Sequence, residues 1–148
     1  MEVKVFVTRV QPGAALPTYA HGAEEDAGLD LVYCGSNVLI LAPGGRQMCP
    51  TGIAIQLPAG FEGQIRPRSG LALSRGLTVL NAPGTVDPGY RGEINVLLIN
   101  LSNQEQRIEP GERIAQLVIS SYAKVLFEER EQLDDSGRNQ GGFGSTGA

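Results

Sequence analysis

Cysteine and histidine are scarce in this chain. Its two cysteines, Cys34 and Cys49, do not form a Cys-x-x-Cys pair, and two thiols cannot supply a disulfide framework for 148 residues. We therefore expect both to be free, buried thiols. The single histidine, His21, lies in a polar segment. A lone histidine of this kind is usually only solvated, and we assign it no role.

Long apolar runs are also missing. No apolar stretch approaches the roughly 20 residues that cross a bilayer, and residues 1–7 lack the basic region and cleavage site of a signal peptide. The net charge of −4 disfavours non-specific binding to nucleic acid. We expect a cytoplasmic protein without a membrane or nucleic-acid partner, in which a few local arginines would bind any anionic ligand.

Aromatic residues make up only 5% of the chain, whereas glycine (20) and proline (9) are abundant. Short strands joined by frequent turns fit this composition better than helices do. The length predicts one domain with a substantial core, and no repeat of 20–50 residues is visible. Short apolar runs bounded by turn residues predict strands at residues 3–7, 38–41, 52–57, 77–80, 94–99 and 114–119.

Residues 81–93 are the polar segment around which the chain is organised. They read Asn-Ala-Pro-Gly-Thr-Val-Asp-Pro-Gly-Tyr-Arg-Gly-Glu and join two predicted strands, as the loop of a hairpin does. The segment carries the carboxylate of Asp87, the phenol of Tyr90 and the pair Arg91 and Glu93, which a simple hairpin connection would not require. A polar loop whose Asp-Pro only forms a turn remains an alternative.

A second polar position interrupts residues 27–31, which read Ala-Gly-Leu-Asp-Leu. Strand alternation places Asp30 on the face opposite Leu29 and Leu31. Asp30 could serve a site, or it could be an outward-facing strand residue that contacts only water.

Residues 63–72 read Gly-Gln-Ile-Arg-Pro-Arg-Ser-Gly-Leu-Ala and precede one or two predicted helical turns that end at Arg75. Ser69 is a candidate N-cap. A helix start beside Arg68 can bind an anion through backbone N–H groups and a guanidinium. An ordinary capped helix with a solvated arginine remains open.

Gln116 is a polar residue within the apolar strand that follows the turn at residues 110–111. If this side chain is buried, its amide needs hydrogen-bond partners. The alternative is an edge strand whose glutamine faces water.

The apolar pattern ends at residue 128. An acidic stretch is followed by Gly-Arg-Asn-Gln-Gly-Gly-Phe-Gly-Ser-Thr-Gly-Ala, which has too little apolar surface to pack by itself. The Gly-x-Gly-x-x-Gly pattern at 142–147 does not indicate a dinucleotide site, because no strand precedes it and we expect no helix after it. We expect a mobile arm, either a simple disordered terminus or a segment that closes over a phosphorylated base.

These five stretches together resemble the five motifs of trimeric dUTP pyrophosphatases (dUTPases). They follow the family's order from residue 27 to 147 and cover nearly the whole chain. Each motif is weak alone, but five at this spacing are specific. Asn139 stands where the family more often has glycine. The resemblance implies an all-β fold, an antiparallel jelly-roll-like β-barrel over residues 1–127 with one short helix, and a flexible C-terminal arm over residues 128–148.

The resemblance also implies a homotrimer whose active sites combine parts of three subunits, and a reaction. That reaction is Mg²⁺-dependent hydrolysis of dUTP to dUMP and pyrophosphate, which keeps uracil out of DNA and supplies dUMP for thymidylate synthesis. Asp87 would activate the attacking water, Gln116 would position the phosphate, and Asp30 would contact the metal through water. The implied substrate-binding residues are Arg68, Ser69, Gly70, Asn81, Tyr90, Arg138, Phe143, Gly144, Ser145 and Thr146.

Three other functions remain open. The dCTP deaminases share this fold and part of the Arg-Ser motif, and ammonia release from dCTP would distinguish them. The chain could instead be a catalytically silent nucleotide-binding or regulatory trimer, or a purely structural jelly-roll module. The intact Asp87, Gln116 and C-terminal motif favour the pyrophosphatase.

Overall fold

The computed structural model describes residues 1–147, which fold into short antiparallel strands with one short helix. Ala148, the last residue of the expected arm, lies outside the described residues. The elements in chain order are β1 (Phe6–Arg9), β2 (Leu29–Val32), β3 (Leu39–Leu41), β4 (Arg46–Pro50), β5 (Ile53–Gln56), β6 (Phe61–Arg66), α1 (Ser69–Arg75), β7 (Leu77–Val79), β8 (Gly84–Val86), β9 (Asn95–Asn100), β10 (Gln106–Ile108) and β11 (Arg113–Ser121).

Strand pairing produces four sheets. The largest has the order β2-β11-β6-β8, a second has β4-β9-β7, and the pairs β1-β5 and β10-β3 complete the set. Every pairing is antiparallel. The expected all-β, jelly-roll-like fold is therefore confirmed, although hydrogen bonds within residues 1–147 join the strands into four sheets rather than one closed ring.

The core lies between the sheets and collects the inward-facing side chains of each. On β9, Val96 and Leu98 are buried whereas Leu97 between them is only half-buried, as the two-residue period of a strand requires. Leu31 of β2 and Ile114 of β11 join the same cluster. Each fully buried side chain of this size contributes roughly 1.5–3 kcal/mol relative to exposure.

The predicted hairpin around residues 81–93 is confirmed in part. Its two flanking strands, β7 and β9, pair with each other in antiparallel register. The loop between them contains β8, which leaves this sheet and pairs with β6. The strands β4, β6, β8 and β10 were not predicted, and the first strand begins at Phe6 rather than at residue 3. Short segments such as β10, which has only one buried residue, show no apolar alternation, so only the partner strand defines them.

The helix α1 begins at Ser69, so the prediction that Ser69 is its N-cap is wrong. Arg68 occupies the cap position in an extended conformation, and its side chain makes no capping hydrogen bond. A guanidinium has only donors and cannot accept from the free N–H groups at the helix start, and it lies beside the Asp30 carboxylate instead. Gly76 caps the end of the helix, because its left-handed conformation (φ 63°) lets its N–H donate to the Ala72 carbonyl.

Residues 122–147 contain neither helix nor strand, and nearly all of them are exposed. From residue 123 onward, the hydrogen bonds join residues of this C-terminal segment to one another. For example, Arg138 Nε donates to the Gly141 carbonyl at 2.6 Å. The boundary at residue 127 and the mobility of the arm stay predictions. Both cysteines are free as predicted, with Cys49 buried and Cys34 half-buried. Among residues 1–147, no helix is long and apolar enough to cross a membrane.

Candidate active site

The central strand β11 and the start of α1 border an open cleft of about 340 Å³, which we call the phosphate cleft. Antiparallel pairing places Gln116 opposite both Asp30 on β2 and Arg66 on β6. The Pro67-Arg68 segment then carries the chain from β6 into α1. Five residues predicted from the sequence line this one cleft: Asp30, Arg68, Ser69, Gly70 and Gln116.

Asp30 is a nearly buried carboxylate held between two arginines. Its side chain is 12% exposed, with Oδ1 lying 3.4 Å from Arg68 Nε and Oδ2 lying 3.5 Å from Arg113 Nη1. A buried carboxylate is costly unless positive charge compensates it, and the two guanidinium groups provide that charge. Oδ2 is nonetheless buried without a hydrogen bond. The alternative that Asp30 simply faces water is wrong. Arg113 was missed because only strand pairing brings it to Asp30.

Gln116 lies on a central strand, so the edge-strand alternative is wrong. Its Nε2 donates a hydrogen bond to the Pro67 carbonyl at 2.9 Å, which gives the amide nitrogen a partner. The amide oxygen, Oε1, lies over Gly28, and a Cβ atom on Gly28 would be only 2.3 Å from it. The glycine in the Ala-Gly-x-Asp-Leu motif therefore provides the space that the Gln116 amide occupies.

A second cleft, of about 230 Å³, lies beside β8, and we call it the nucleoside cleft. It brings together Asn81, Asp87 and Tyr90, three more of the residues predicted from the sequence. Its lining also includes the buried apolar side chains of Ile65, Val86 and Ile94, together with further polar residues. A cleft that combines apolar walls with a few positioned polar groups is the usual form of a small-molecule site.

Local backbone geometry fixes the polar groups of the nucleoside cleft. The Tyr90 hydroxyl donates to the Glu93 carbonyl at 2.8 Å. Its ring crosses Gly92, where a Cβ atom would lie 2.4 Å from the hydroxyl oxygen. The peptide bond between Ala82 and Pro83 is cis. Asp87 is exposed, so its carboxylate is accessible from solvent.

The two clefts share no lining residue. Within one chain, Asp87 and Gln116 therefore border different clefts. The arm residues predicted from the sequence border neither, and Phe143 is fully exposed. The arm residues in question are Arg138, Phe143, Gly144, Ser145 and Thr146.

A family model described as dUTPase matches residues 14–147 of this chain. The chain belongs to the dUTPase family. The deoxyuridine 5'-triphosphate nucleotidohydrolase of Hydrogenobaculum sp. (strain Y04AAS1) is 54% identical over 145 residues, covering 98% of this chain and 99% of that protein. The enzyme of the same name from Wolbachia pipientis wMel is 48% identical over 148 residues, covering 99% and 97%. In structure, the chain is similar to the Staphylococcus bacteriophage 80alpha dUTPase with dUPNHPP, with a TM-score of 0.86 at 25% identity over 98% of this chain and 99% of that one.

One wall of the phosphate cleft in this dUTPase-family chain is a loop that His21 and Asp26 hold together. Asp26 Oδ2 accepts the His21 N–H at 2.6 Å, and its Oδ1 lies 3.0 Å from His21 Nδ1. These hydrogen bonds from His21 lower the pKa of the Asp26 carboxyl. The sequence assigned His21 no role. The structure shows that it fixes a loop whose Glu25, Asp26 and Ala27 line the cleft.

The metal expected for a dUTPase must be compatible with these residues. Within residues 1–147, no three His, Cys, Asp or Glu side chains are grouped to hold a metal ion. Mg²⁺ usually keeps several waters and is bound through substrate phosphates with one or two carboxylates. Oδ2 of Asp30 suits that arrangement, because it makes an ion pair with Arg113 but no hydrogen bond to any of residues 1–147. The residues therefore fit a hydrated Mg²⁺ that binds together with a phosphate ligand.

Proposed function

We propose that this member of the dUTPase family hydrolyses dUTP to dUMP and pyrophosphate in a site assembled from neighbouring subunits. One observation carries the proposal. The residues expected to bind phosphate line one cleft, those expected to bind the nucleoside line another, and the two clefts share no residue. We infer that a substrate contacting both sets bridges two chains, each contributing one cleft, as the resemblance to trimeric dUTPases implies. A third chain would contribute the arm, which makes the assembly a homotrimer.

The nucleoside cleft suits deoxyuridine. The exposed amide of Asn81 and the backbone of the β7–β9 connection can pair with the uracil edge. Cytosine presents the opposite donor and acceptor pattern, and each buried group left unpaired costs about 1–3 kcal/mol. The turn would exclude the methyl group of thymine sterically. Because the Tyr90 hydroxyl is already bonded to the Glu93 carbonyl, its ring face rather than its hydroxyl would lie against the sugar and exclude a 2′-OH.

The phosphate cleft suits a polyphosphate. Arg68 supplies a guanidinium that is fixed in place, because its Nη1 donates to the Arg113 carbonyl at 3.0 Å. The Ser69 hydroxyl and the Gly70 backbone can donate to the same oxygens. A Cβ atom on Gly70 would have no neighbouring atom within 4 Å. The space beside the Gly70 backbone is therefore open, and a phosphate can approach it. Gln116 orients the phosphate from the opposite wall.

The chemical step is a displacement at the α-phosphorus. Asp87 accepts a proton from a water molecule as its oxygen bonds to the α-phosphorus, and the bond from that phosphorus to the bridging oxygen breaks, which releases pyrophosphate. Positioning and electrostatic stabilisation supply most of the rate enhancement. When bound, Mg²⁺ neutralises phosphate charge. Asp30 would contact it through a bound water, using Oδ2, which accepts no hydrogen bond from residues 1–147.

The arm completes the site. Arg138, Ser145 and Thr146 would close on the γ-phosphate, with Gly144 between them allowing close approach of the backbone. Phe143 would stack on the uracil, a contact worth about 1–3 kcal/mol. Its full exposure in the free chain is consistent with a side chain that lacks a partner until substrate binds.

The proposal is tested by incubating the purified chain with Mg²⁺ and dUTP, dCTP, dTTP or UTP in turn. We expect pyrophosphate and dUMP from dUTP alone. Ammonia release from dCTP would instead identify a deaminase. Tight binding of dUTP without any product would identify a silent nucleotide-binding protein.

A further inference from the structure

The last residue of α1, Arg75, is bonded to the segment that runs from β10 to β11. Its Nε donates to Gln106 Oε1 at 3.1 Å, its Nη1 donates to Glu112 Oε1 at 2.9 Å, and its Nη2 donates to the Arg107 carbonyl. The side chains of Arg75 and Glu112 are 24% and 32% exposed, so this ion pair is largely shielded from solvent. We call these contacts the Arg75 clamp.

The opposite end of the helix is tied to the same segment. Arg68, immediately before α1, donates to the Arg113 carbonyl at 3.0 Å. Glu112 also braces the turn itself, because its Oε2 accepts the Glu109 N–H at 2.6 Å. Both ends of α1 therefore depend on one connection between strands.

Behind the clamp, hydrogen bonds continue into the core. Gln106 Nε2 donates to Ser102 Oγ at 3.3 Å, and Ser102 Oγ donates to Asn100 Oδ1 at 2.7 Å. Asn100 is completely buried and donates to the Leu41 carbonyl at 3.0 Å. The acceptors of the clamp are thus rigidly supported, which a surface ion pair alone would not be.

Packing alone cannot hold this helix. It has seven residues and none of its side chains is buried. Leu73, one of its three apolar side chains, is 91% exposed. Isolated helices of this length are marginal in water, and most helical stability in proteins comes from a packed apolar face. Leu71 is half-buried against the core, and the polar ties at the two ends of α1 add to that single apolar contact in orienting the helix.

We propose that Arg75 is a positioning residue, which holds α1 so that Arg68, Ser69 and Gly70 face the phosphate cleft. This inference rests on the proposed function for the role of that cleft. Arg75 itself contacts no substrate. Its loss would release Glu112 and the turn before β11, and with it the Arg113 carbonyl to which Arg68 donates. The segment before α1 could then move, and a misplacement of about 1 Å can cost 10²-fold in rate.

The test compares Arg75→Met with the matched control Arg107→Met. Both remove one positive charge from the same surface, but the control keeps the Arg107 backbone carbonyl and therefore the clamp. For Arg75→Met we expect the Kd of a non-hydrolysable dUTP analogue to rise by about 10-fold or more, whereas the Kd of deoxyuridine should not change. Arg75→Lys should restore part of the loss, because an ammonium can still reach one acceptor. The control should match the wild type in both ligands.

A second measurement separates this inference from the proposed function. In amide NMR spectra, Arg75→Met should shift the signals of Ser69 and Gly70, and Arg107→Met should not. This holds even if the wild type proves unable to hydrolyse dUTP. Unshifted amide signals, or an Arg75→Met protein that loses thermal stability but binds the analogue as tightly as the wild type, would overturn the role of Arg75.

Discussion

The Gln116 side chain occupies space that is free only because residue 28 is glycine. A Cβ atom on Gly28 would lie 2.3 Å from Oε1, 3.1 Å from Cδ and 3.3 Å from Cβ of Gln116. The amide can lie there only because Gly28 has no side chain. In this position Gln116 Nε2 donates a hydrogen bond to the Pro67 carbonyl at 2.9 Å. This bond joins β11 to the segment that enters α1.

Gly28→Ala should therefore displace the Gln116 amide and lower dUTP hydrolysis. The clash falls mainly on the end of a flexible side chain, so we expect a small change in thermal stability and a loss of about 10-fold or more in kcat. Steady-state kinetics and thermal melts measure the two effects. The double variant Gly28→Ala/Gln116→Ala should be no less active than Gln116→Ala alone. An additive loss would show that the two residues act separately.

Asp87→Asn should abolish most of the chemistry and leave binding intact. The side chain is exposed, so the isosteric amide should not disturb the fold, but it cannot accept the proton of the attacking water. We expect kcat to fall by about 10²–10⁴-fold, the usual contribution of a general base. Calorimetry with a non-hydrolysable dUTP analogue should give an unchanged affinity. A kcat close to that of the wild type would refute the assignment of Asp87.

Mixed assemblies can test whether the sites are shared. Light scattering at micromolar concentration should give about three times the chain mass of 15.7 kDa. Chains carrying Asp87→Asn and chains truncated before Arg138 should each be nearly inactive. Mixing and reassembling them should restore part of the activity, because some sites then receive an intact Asp87 and an intact arm from different chains. A fully active monomer would disprove sharing.

Removal of residues 138–148 should leave thermal stability nearly unchanged and severely reduce hydrolysis. The arm makes its hydrogen bonds internally, and ordering it costs about 1–2 kcal/mol per residue. Only a charged ligand and a stacked base would offset that cost. Phe143→Ala should do less damage than truncation. Backbone NMR with and without a non-hydrolysable analogue measures the ordering. Equal rigidity in both states would argue against a substrate-ordered arm.

The Cys49 thiol predicts how stability depends on pH. Burial raises the pKa of Cys49 to about 11, so the folded state favours the neutral thiol. The buried neutral thiol contributes fully to the free energy of unfolding below the pKa of the unfolded state, about 8.5. This contribution is lost as the pH rises through the pKa of the folded state. The urea concentration at the unfolding midpoint should therefore decrease as the pH rises from the unfolded to the folded pKa. The decrease should be smaller in Cys49→Ala. An equal fall in both proteins would assign the effect to other groups, such as Tyr33 and Cys34, whose pKa values burial also raises.

Local sequence patterns predicted the class of fold and eight of the residues that line the two clefts. Frequent glycine and proline with short apolar runs predicted an all-β chain, because turn chemistry and two-residue alternation are local properties of the polypeptide. The motifs predicted Asp30, Arg68 and Gln116 as site residues, since each motif is recognised from residues that are neighbours in the sequence.

Contacts between distant segments determine which of these residues share a cleft and what supports them. Strand pairing between distant segments places Gln116 opposite Asp30 and brings Arg113 to the same carboxylate. The ion pair between Arg75 and Glu112 joins the helix α1 to the turn before β11. Their neighbours in the sequence carry no sign of these contacts. A contact between distant residues depends on the register of the whole sheet, which is set by the packing of the core and not by local propensity.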